Sequence, residues 1–198
     1  MIKIVGFSGA QGAGKSTLLN ALRDDFVVDD FKVSRAVQKE QGCTLEDAVQ
    51  SWDKMVVFQT SILYQKYLHD SELLKQPGDS IILVERTFAD IYAYTALWCK
   101  RLVAKSLVEP EVAESFLTGY LVACRKYQDK LYSLLFVIPL MDHIPREVDA
   151  HRADYASAME VYNTISTFTI KGNVPYDTIT GVTVQERAER VKEIITQL

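Results

Sequence analysis

The run Gly9-Ala10-Gln11-Gly12-Ala13-Gly14-Lys15-Ser16 constrains this chain more than any other stretch. It reads G-x-x-x-x-G-K-[ST], a phosphate-binding loop that needs a strand before it and a helix after it. The apolar run Ile2 to Phe7 and the helix-like stretch Thr17 to Leu22 supply both. Composition alone would place the fixed positions in roughly one chain in a hundred of this length, and the flanking elements narrow that further. In such a loop backbone N–H groups turn inward around phosphate oxygens. Lys15 would reach the β- and γ-phosphates of ATP and Ser16 would hold Mg²⁺. Gly9, Gly12, Ala13, Gly14 and Thr17 complete the expected nucleotide contacts.

Strand-like and helix-like stretches alternate through the rest of the chain. A second strand is expected at Phe26–Val28 or Phe31–Val33, followed by a helix over Ser34–Gln41 that Gly42 would stop. Thr44 and Asp47 open a long helix, with Leu45, Val49, Trp52, Val56, Gln59 and Leu63 along one face; it should end near Pro77-Gly78. Ile81–Val84 is apolar without alternation, as in a parallel strand buried on both faces, and ends on Glu85-Arg86-Thr87. Thr87 with Asp90 starts a helix to about Ser106, and Pro110 starts the next, with Val112, Phe116, Tyr120 and Tyr127 on its apolar side. Leu131–Pro139 reads as a further buried strand, Leu140–Asp149 as a polar connection, and Asp149 as the cap of a helix to about Phe168. A short strand at Tyr176–Thr180 and a capping box at Thr183–Glu186 lead into a last helix with Ala188, Val191, Ile194 and Ile195 inward.

This pattern predicts one three-layer α/β/α P-loop NTPase domain over residues 1–198, with a five-stranded parallel sheet and a lid segment at about 140–152. At 198 residues, 48% hydrophobic and 24% charged, the chain suits a single domain with a sizeable core. A net charge of -4 gives no general attraction to nucleic acid or anionic membrane. The longest apolar run, Leu134 to Met141, falls far short of the ~20 residues of a membrane helix. No signal peptide is expected before the first strand. The widely spaced Cys43, Cys99 and Cys124 and the histidines His69, His143 and His151 complete no zinc pattern. Free thiols in a reducing cytoplasm are the expectation. A homodimer stays open, because an exposed apolar helix face reads like a core face.

In parallel sheets, ligands sit beyond the carboxyl ends of the strands, where both the loop and Glu85-Arg86 fall. Glu85 there could accept an acceptor's proton or orient water on Mg²⁺. Arg86 could neutralise phosphoryl charge with its planar fork. Gln59, an amide on a largely apolar face, could pair with a nucleobase edge, with Trp52, Phe58 and Tyr92 as walls. Arg146 and Arg152 could close over the phosphates and exclude water. Arg35 is a candidate for the acceptor site, and Asp29 and Asp30 lie near the same strand end.

Taken together, these features resemble the P-loop nucleoside and nucleotide kinase group. Trp52 … Phe58-Gln59 is similar to the Trp … aromatic-Gln helix of deoxynucleoside kinases, Glu85-Arg86-Thr87 to their Glu-Arg-Ser, and Arg146 with Arg152 to their arginine-bearing lid. Glu85-Arg86 and Asp149-x-x-Arg152 also resemble the small phage and bacterial kinases related to ribosylnicotinamide kinase, which have Asp-Arg and Asp-x-x-Arg. The resemblance implies transfer of the γ-phosphoryl group of ATP, with Mg²⁺, to a nucleoside-like acceptor, with Gln59 reading a base and Arg86 and the lid arginines managing charge. It also admits a nucleoside monophosphate kinase, with Arg35 and Arg86 on the acceptor phosphate, or a phage-type kinase acting on 5-hydroxymethyluracil in DNA. The Glu-Pro that carries the general base of deoxynucleoside kinases after the second strand is missing here. Asp29, Asp30 or Ser34 is the nearest polar group, so either Glu85 is the base or the acceptor differs. The D-x-x-G and N-K-x-D patterns that GTPases share are absent, and the intact Lys15, Ser16 and Glu85 argue against a regulator without turnover.

Overall fold

The computed structural model describes residues 1–140 and 154–198. Five strands, β1 (Lys3–Ser8), β2 (Val27–Asp29), β3 (Ile81–Glu85), β4 (Leu134–Val137) and β5 (Tyr176–Thr178), form one sheet in the order β2-β3-β1-β4-β5. Every pairing is parallel. Eight helices fill the described connections: α1 (Lys15–Ala21), α2 (Val33–Gln41), α3 (Leu45–Ala48), α4 (Trp52–Leu73), α5 (Phe88–Ala104), α6 (Pro110–Leu131), α7 (Tyr155–Ile170) and α8 (Val184–Ile195).

Alternation along each central strand sorts the core into two faces. Val5 and Phe7 of β1, Leu83 of β3 and Leu134 and Phe136 of β4 pack on α1 and α8. Ile4, Ile82, Val84, Leu135 and Val137 face the opposite layer of α2, α4, α5, α6 and α7. The three-layer α/β/α architecture and the five parallel strands are those the alternating pattern predicts. All three cysteines are free. Among the described residues no helix is long and apolar enough to cross a membrane.

Local signals hold where a side chain closes a backbone bond. Capping boxes form at Thr44/Asp47, Thr87/Asp90 and Thr183/Glu186. Gly42 ends α2 at φ 62°. Periodicity is less exact. The helix expected to run on from Thr44 is two, because α3 stops after one turn and Ser51 caps α4 afresh, its hydroxyl accepting from Lys54 N–H. Behind that break Leu45 is exposed, and the buried face of α4 is Met55, Phe58, Gln59, Ile62, Leu63, Lys66, Asp70 and Leu73. On α6, Tyr120 of the expected stripe is buried and Phe116 and Tyr127 pack partly buried against the core, while Val112 lies outward and Ala113, Cys124, Gln128 and Leu131 join the buried face. Leu131 closes α6, and β4 starts only at Leu134. The proposed lid, with Arg146, Asp149 and Arg152, lies outside the described residues except for its first residue, Leu140; α7 is capped by Asp154, which accepts from Ser157 N–H.

An ion pair lies inside the apolar layer. Lys66 Nζ and Asp70 Oδ1, 3.0 Å apart on successive turns of α4, are fully buried. Tyr132 O–H donates to Asp70 Oδ2 at 2.6 Å. Burial and the neighbouring carboxylate push the Tyr132 phenol up, so it remains a donor. Lys66 Nζ is poorly aligned and makes no hydrogen bond among the described residues. Breaking such a pair leaves an uncompensated buried charge, whereas replacing both partners does not. Asp70→Leu should therefore cost about 3–5 kcal/mol in urea unfolding, and Lys66→Met added to it should recover most of that loss; a double variant no more stable than the single one would refute the assignment.

Candidate active site

The carboxyl ends of three strands converge at one edge of the sheet. Phe7 of β1 pairs with Glu85 of β3, and Asp29 of β2 pairs with Val84. The loop after β1, the Glu85-Arg86 turn after β3 and the Asp29-Asp30 end of β2 are thereby neighbours, although they are far apart in sequence.

The glycine loop passes close beneath β4. A Cβ on Gly9 would stand 2.6 Å from Ile138 O, a backbone atom that cannot move aside. Gly14 takes φ 85° as the residue before α1, a left-handed conformation that favours glycine. Lys15, only 4% exposed, donates from Nζ to Gly9 O at 2.5 Å and Ala10 O at 2.9 Å. The lysine is thus held across the mouth of its own loop. Burial lowers its ammonium to about 8; Arg86 adds to that, and Asp90 and Glu85 oppose it.

Ser16 Oγ is 3.0 Å from both Oε1 and Oε2 of Glu85, and Lys32, which precedes α2, forms an ion pair with the same carboxylate. Burial pushes the Glu85 carboxyl up, but the Lys32 hydrogen bond and the Lys15 and Lys32 charges outweigh it and hold the group below its ordinary value. The Ser16 hydroxyl and an ionised carboxylate are both hard oxygen donors, so the pair fits Mg²⁺, which takes one or two protein oxygens and completes its shell with water and phosphate. No group of three or more His, Cys, Asp or Glu among the described residues offers a competing metal cage.

Asp90 was visible in the sequence only as a helix cap. It also receives Gly9 N–H on Oδ1 at 3.2 Å while Thr87 N–H donates to Oδ2 at 3.0 Å. Ser8 and Thr87 share a hydroxyl bond at 2.6 Å. Arg86 extends the β3–β1 ladder, its N–H donating to Phe7 O at 2.9 Å, and then turns left-handed at φ 64°. That turn places its guanidinium over the Tyr94 ring at 4.9 Å, and Tyr94 Oη accepts from Gln11 N–H at 3.0 Å. Arg86 and the loop are therefore linked through Tyr94.

The two aspartates after β2 have separate partners. Asp29 Oδ1 lies 3.0 Å from His69 Nε2, and the His69 ring stacks on Phe31 at 4.0 Å. Asp30 pairs with Arg23 at the surface. Arg35 is exposed on α2 and makes no ion pair among the described residues. Gln59 is buried between α4 and α5. Its side-chain amide lies 3.1 Å from Thr95 Oγ1, whose one proton goes to Ile91 O at 2.8 Å, and Tyr120 O–H donates to its backbone carbonyl at 2.7 Å. Trp52 meets Phe116 edge-on at 5.4 Å in a small cluster with Met55, Cys99 and Ala113. Lys15, Ser16, Glu85 and Arg86 thus come together with Asp29 at the next strand end, whereas Trp52 belongs to a separate packing cluster. Sequence reasoning missed Lys32, Asp90, Tyr94 and His69. Of these only Asp90 had a signal, its place in the capping box.

Set against known proteins, this architecture is that of the P-loop nucleoside and nucleotide kinase group. The model of the family described as AAA domain matches residues 4–187, and the chain belongs to that family. Its fold is similar to deoxyadenosine kinase from M. mycoides, solved with products dCMP and a flexible dCDP bound (TM-score 0.67, 12% identity, covering 98% of this chain and 100% of that one). It is similar to NadR protein in complex with NR (0.63, 14%, covering 98% of this chain and 50% of that one). It is similar also to thymidylate kinase from Candida albicans (0.59, 15%, covering 98% and 91%). At these identities the likeness is one of fold. No curated protein matches the sequence.

The lowered Lys15 pKa has a measurable consequence. Between about 8 and 10.5 the unfolded chain binds a proton at Lys15 that the folded chain has released, so folding at this residue becomes more favourable as pH rises through that window. Wild type should gain on Lys15→Met by up to about 3 kcal/mol in unfolding free energy from pH 8 to pH 10.5. Parallel denaturant titrations of the two proteins check it; a constant difference would show an unperturbed lysine.

Proposed function

We propose that this protein transfers the γ-phosphoryl group of ATP to a hydroxyl of a nucleoside-like small molecule. The observation that carries the reading is the meeting of Ser16 with Glu85 across two strand ends, with the buried Lys15 beside them. Together they offer a hydroxyl, a carboxylate and an ammonium where a triphosphate would lie. Mg²⁺, held by Ser16 and Glu85, neutralises phosphate charge when bound. Lys15 exchanges its two loop carbonyls for β- and γ-phosphate oxygens. Arg86, steadied by Tyr94, faces the charge that builds on the moving phosphoryl group.

Asp29 is the general base in this reading. Glu85 is already engaged by Ser16 and Lys32, which suits a metal ligand, and Asp30 is paired with Arg23. Asp29 stands at the adjacent strand end, with His69 at Oδ1 and the Phe31 N–H donating to Oδ2 at 3.3 Å, and it carries no charge pair with a lysine or arginine among the described residues. It takes the proton of the acceptor hydroxyl as that oxygen bonds to the γ-phosphorus, and the bond to the β-phosphate oxygen breaks to release ADP. Gln59 would present its side-chain amide, donor and acceptor together, to a base edge. Arg146 and Arg152 enter from the sequence alone as lid groups. Free thiols support a cytoplasmic setting. A monophosphate acceptor is the second reading, favoured by the exposed Arg35 on α2, which makes no ion pair among the described residues.

A transfer screen with γ-labelled ATP across nucleosides, nucleoside monophosphates and hydroxymethylated DNA identifies the acceptor. Lys15→Ala should cut turnover at least ~100-fold, because a charge contact made in the transition state is lost. Near-normal transfer by the folded variant would sink the loop assignment.

The two carboxylates separate by different readouts. Asp29→Asn should lower kcat by about 100-fold or more with ATP affinity unchanged. Glu85→Gln should instead raise the Mg²⁺ concentration needed for half-maximal rate. The reversed pattern would move the base to Glu85.

A further inference from the structure

Arg187 is the one guanidinium of the last helix that turns inward. It is 2% exposed, and its Nε donates to Thr183 O at 3.4 Å within its own helix. Its Nη1 is buried and makes no hydrogen bond among the described residues. That atom lies against the phosphate-binding loop, 3.2 Å from where a Cβ on Gly14 would be. Burial pulls its pKa down, and no acidic side chain figures as a counterweight. A buried donor without an acceptor is costly, and a charged one more so. The apolar packing of α1 against α8 is carried by Leu18, Leu22, Ala188 and Val191, whereas the Arg187 side chain lies against Gly181 and Gly14.

The position within the sheet says which ligand atoms an orphan donor here would meet. The loop sits on the central strand β1. Ser16, Glu85 and Arg86, the groups for the reacting end of a triphosphate, lie on the β3 side. Arg187 follows β5 and reaches Gly14 from the opposite flank. A phosphate chain that ends at Ser16 and Glu85 would carry its nucleoside end toward Arg187.

We infer that Arg187 is a donor-positioning residue that gives its free Nη1–H to the α-phosphate of the bound nucleotide from the α8 side of the loop. This rests on the kinase reading above and adds a residue to it. The arginine fixes the nucleotide at the end remote from the chemistry, so that the γ-phosphate is presented toward Asp29.

Equilibrium titration of the full chain with ATP, ADP and adenosine, beside thermal melts without nucleotide, tests this. Arg187→Met should bind ATP and ADP about tenfold or more weakly, because a charge-assisted hydrogen bond is lost, while adenosine affinity stays unchanged. Its nucleotide-free melting temperature should equal or exceed that of wild type, since an unpartnered buried charge gives way to an apolar side chain of similar length. An Arg187→Met protein that melts lower and binds ATP as wild type does would assign the arginine to packing and overturn the inference, as would equal losses for ATP and adenosine. If Arg187→Met does not fold, Arg187→Lys takes its place. It keeps the charge without the fork, so ATP should weaken about threefold or more, and unchanged affinity overturns the inference. Wild type failing to bind ATP would bring down the kinase reading itself, whereas ATP binding indifferent to Arg187 removes only the arginine.

Discussion

Asp90 holds two strand ends together. One oxygen takes the N–H of Gly9 in the phosphate-binding loop, and the other takes the N–H of Thr87 at the start of α5. A fully buried carboxylate is tolerable only when its lone pairs are satisfied, and backbone N–H groups that will not titrate satisfy it permanently. The hydroxyl bond between Ser8 and Thr87 adds a second tie at the same level. The loop is therefore anchored to the element that carries Arg86 and Tyr94. These bonds hold the loop and the Glu85-Arg86 turn against each other.

Around that anchor the site is divided by flank. The β3 and β2 ends supply Glu85, Arg86 and Asp29, each fixed by a neighbour from another element: Lys32, Tyr94 and His69. The neighbours come from the β2–α2 connection, α5 and α4. Three separate parts of the chain must therefore be in place before the strand-end groups hold their orientation. This is a supporting arrangement of the kind that precise sites need.

The loop, the succession of strands and helices, the helix starts at Thr44 and Thr87 and the capping box at Thr183 are legible in the sequence because each is a local pattern: a fixed spacing, an apolar run, or Thr with an acid three residues on. Helix faces were read less well. The continuous helix from Thr44 breaks at Ser51, where a second N-cap restarts it and Leu45 lies outward, and on α6 Val112 lies outside the buried face. Lys66 and Asp70, charged residues one helix turn apart, are core residues. Arg187 sits in a helix of mixed charge and carries no local mark of burial. His69 meets Asp29 only through the packing of α4 over the sheet. In each of these cases the deciding contact is long-range, and spacing along one element cannot report it.

The Lys15 ammonium bonded to Gly9 and Ala10 carbonyls makes ligand entry an exchange. An arriving anion gains the lysine only by replacing two acceptors that the loop already provides, so the net return from that one contact is small. The loop N–H groups stay open to any anion, and a longer ligand can engage them and the strand-end groups at the same time. Self-occupancy of the lysine is therefore a competition that every entering anion meets, and one that a ligand long enough to span the site offsets with further contacts.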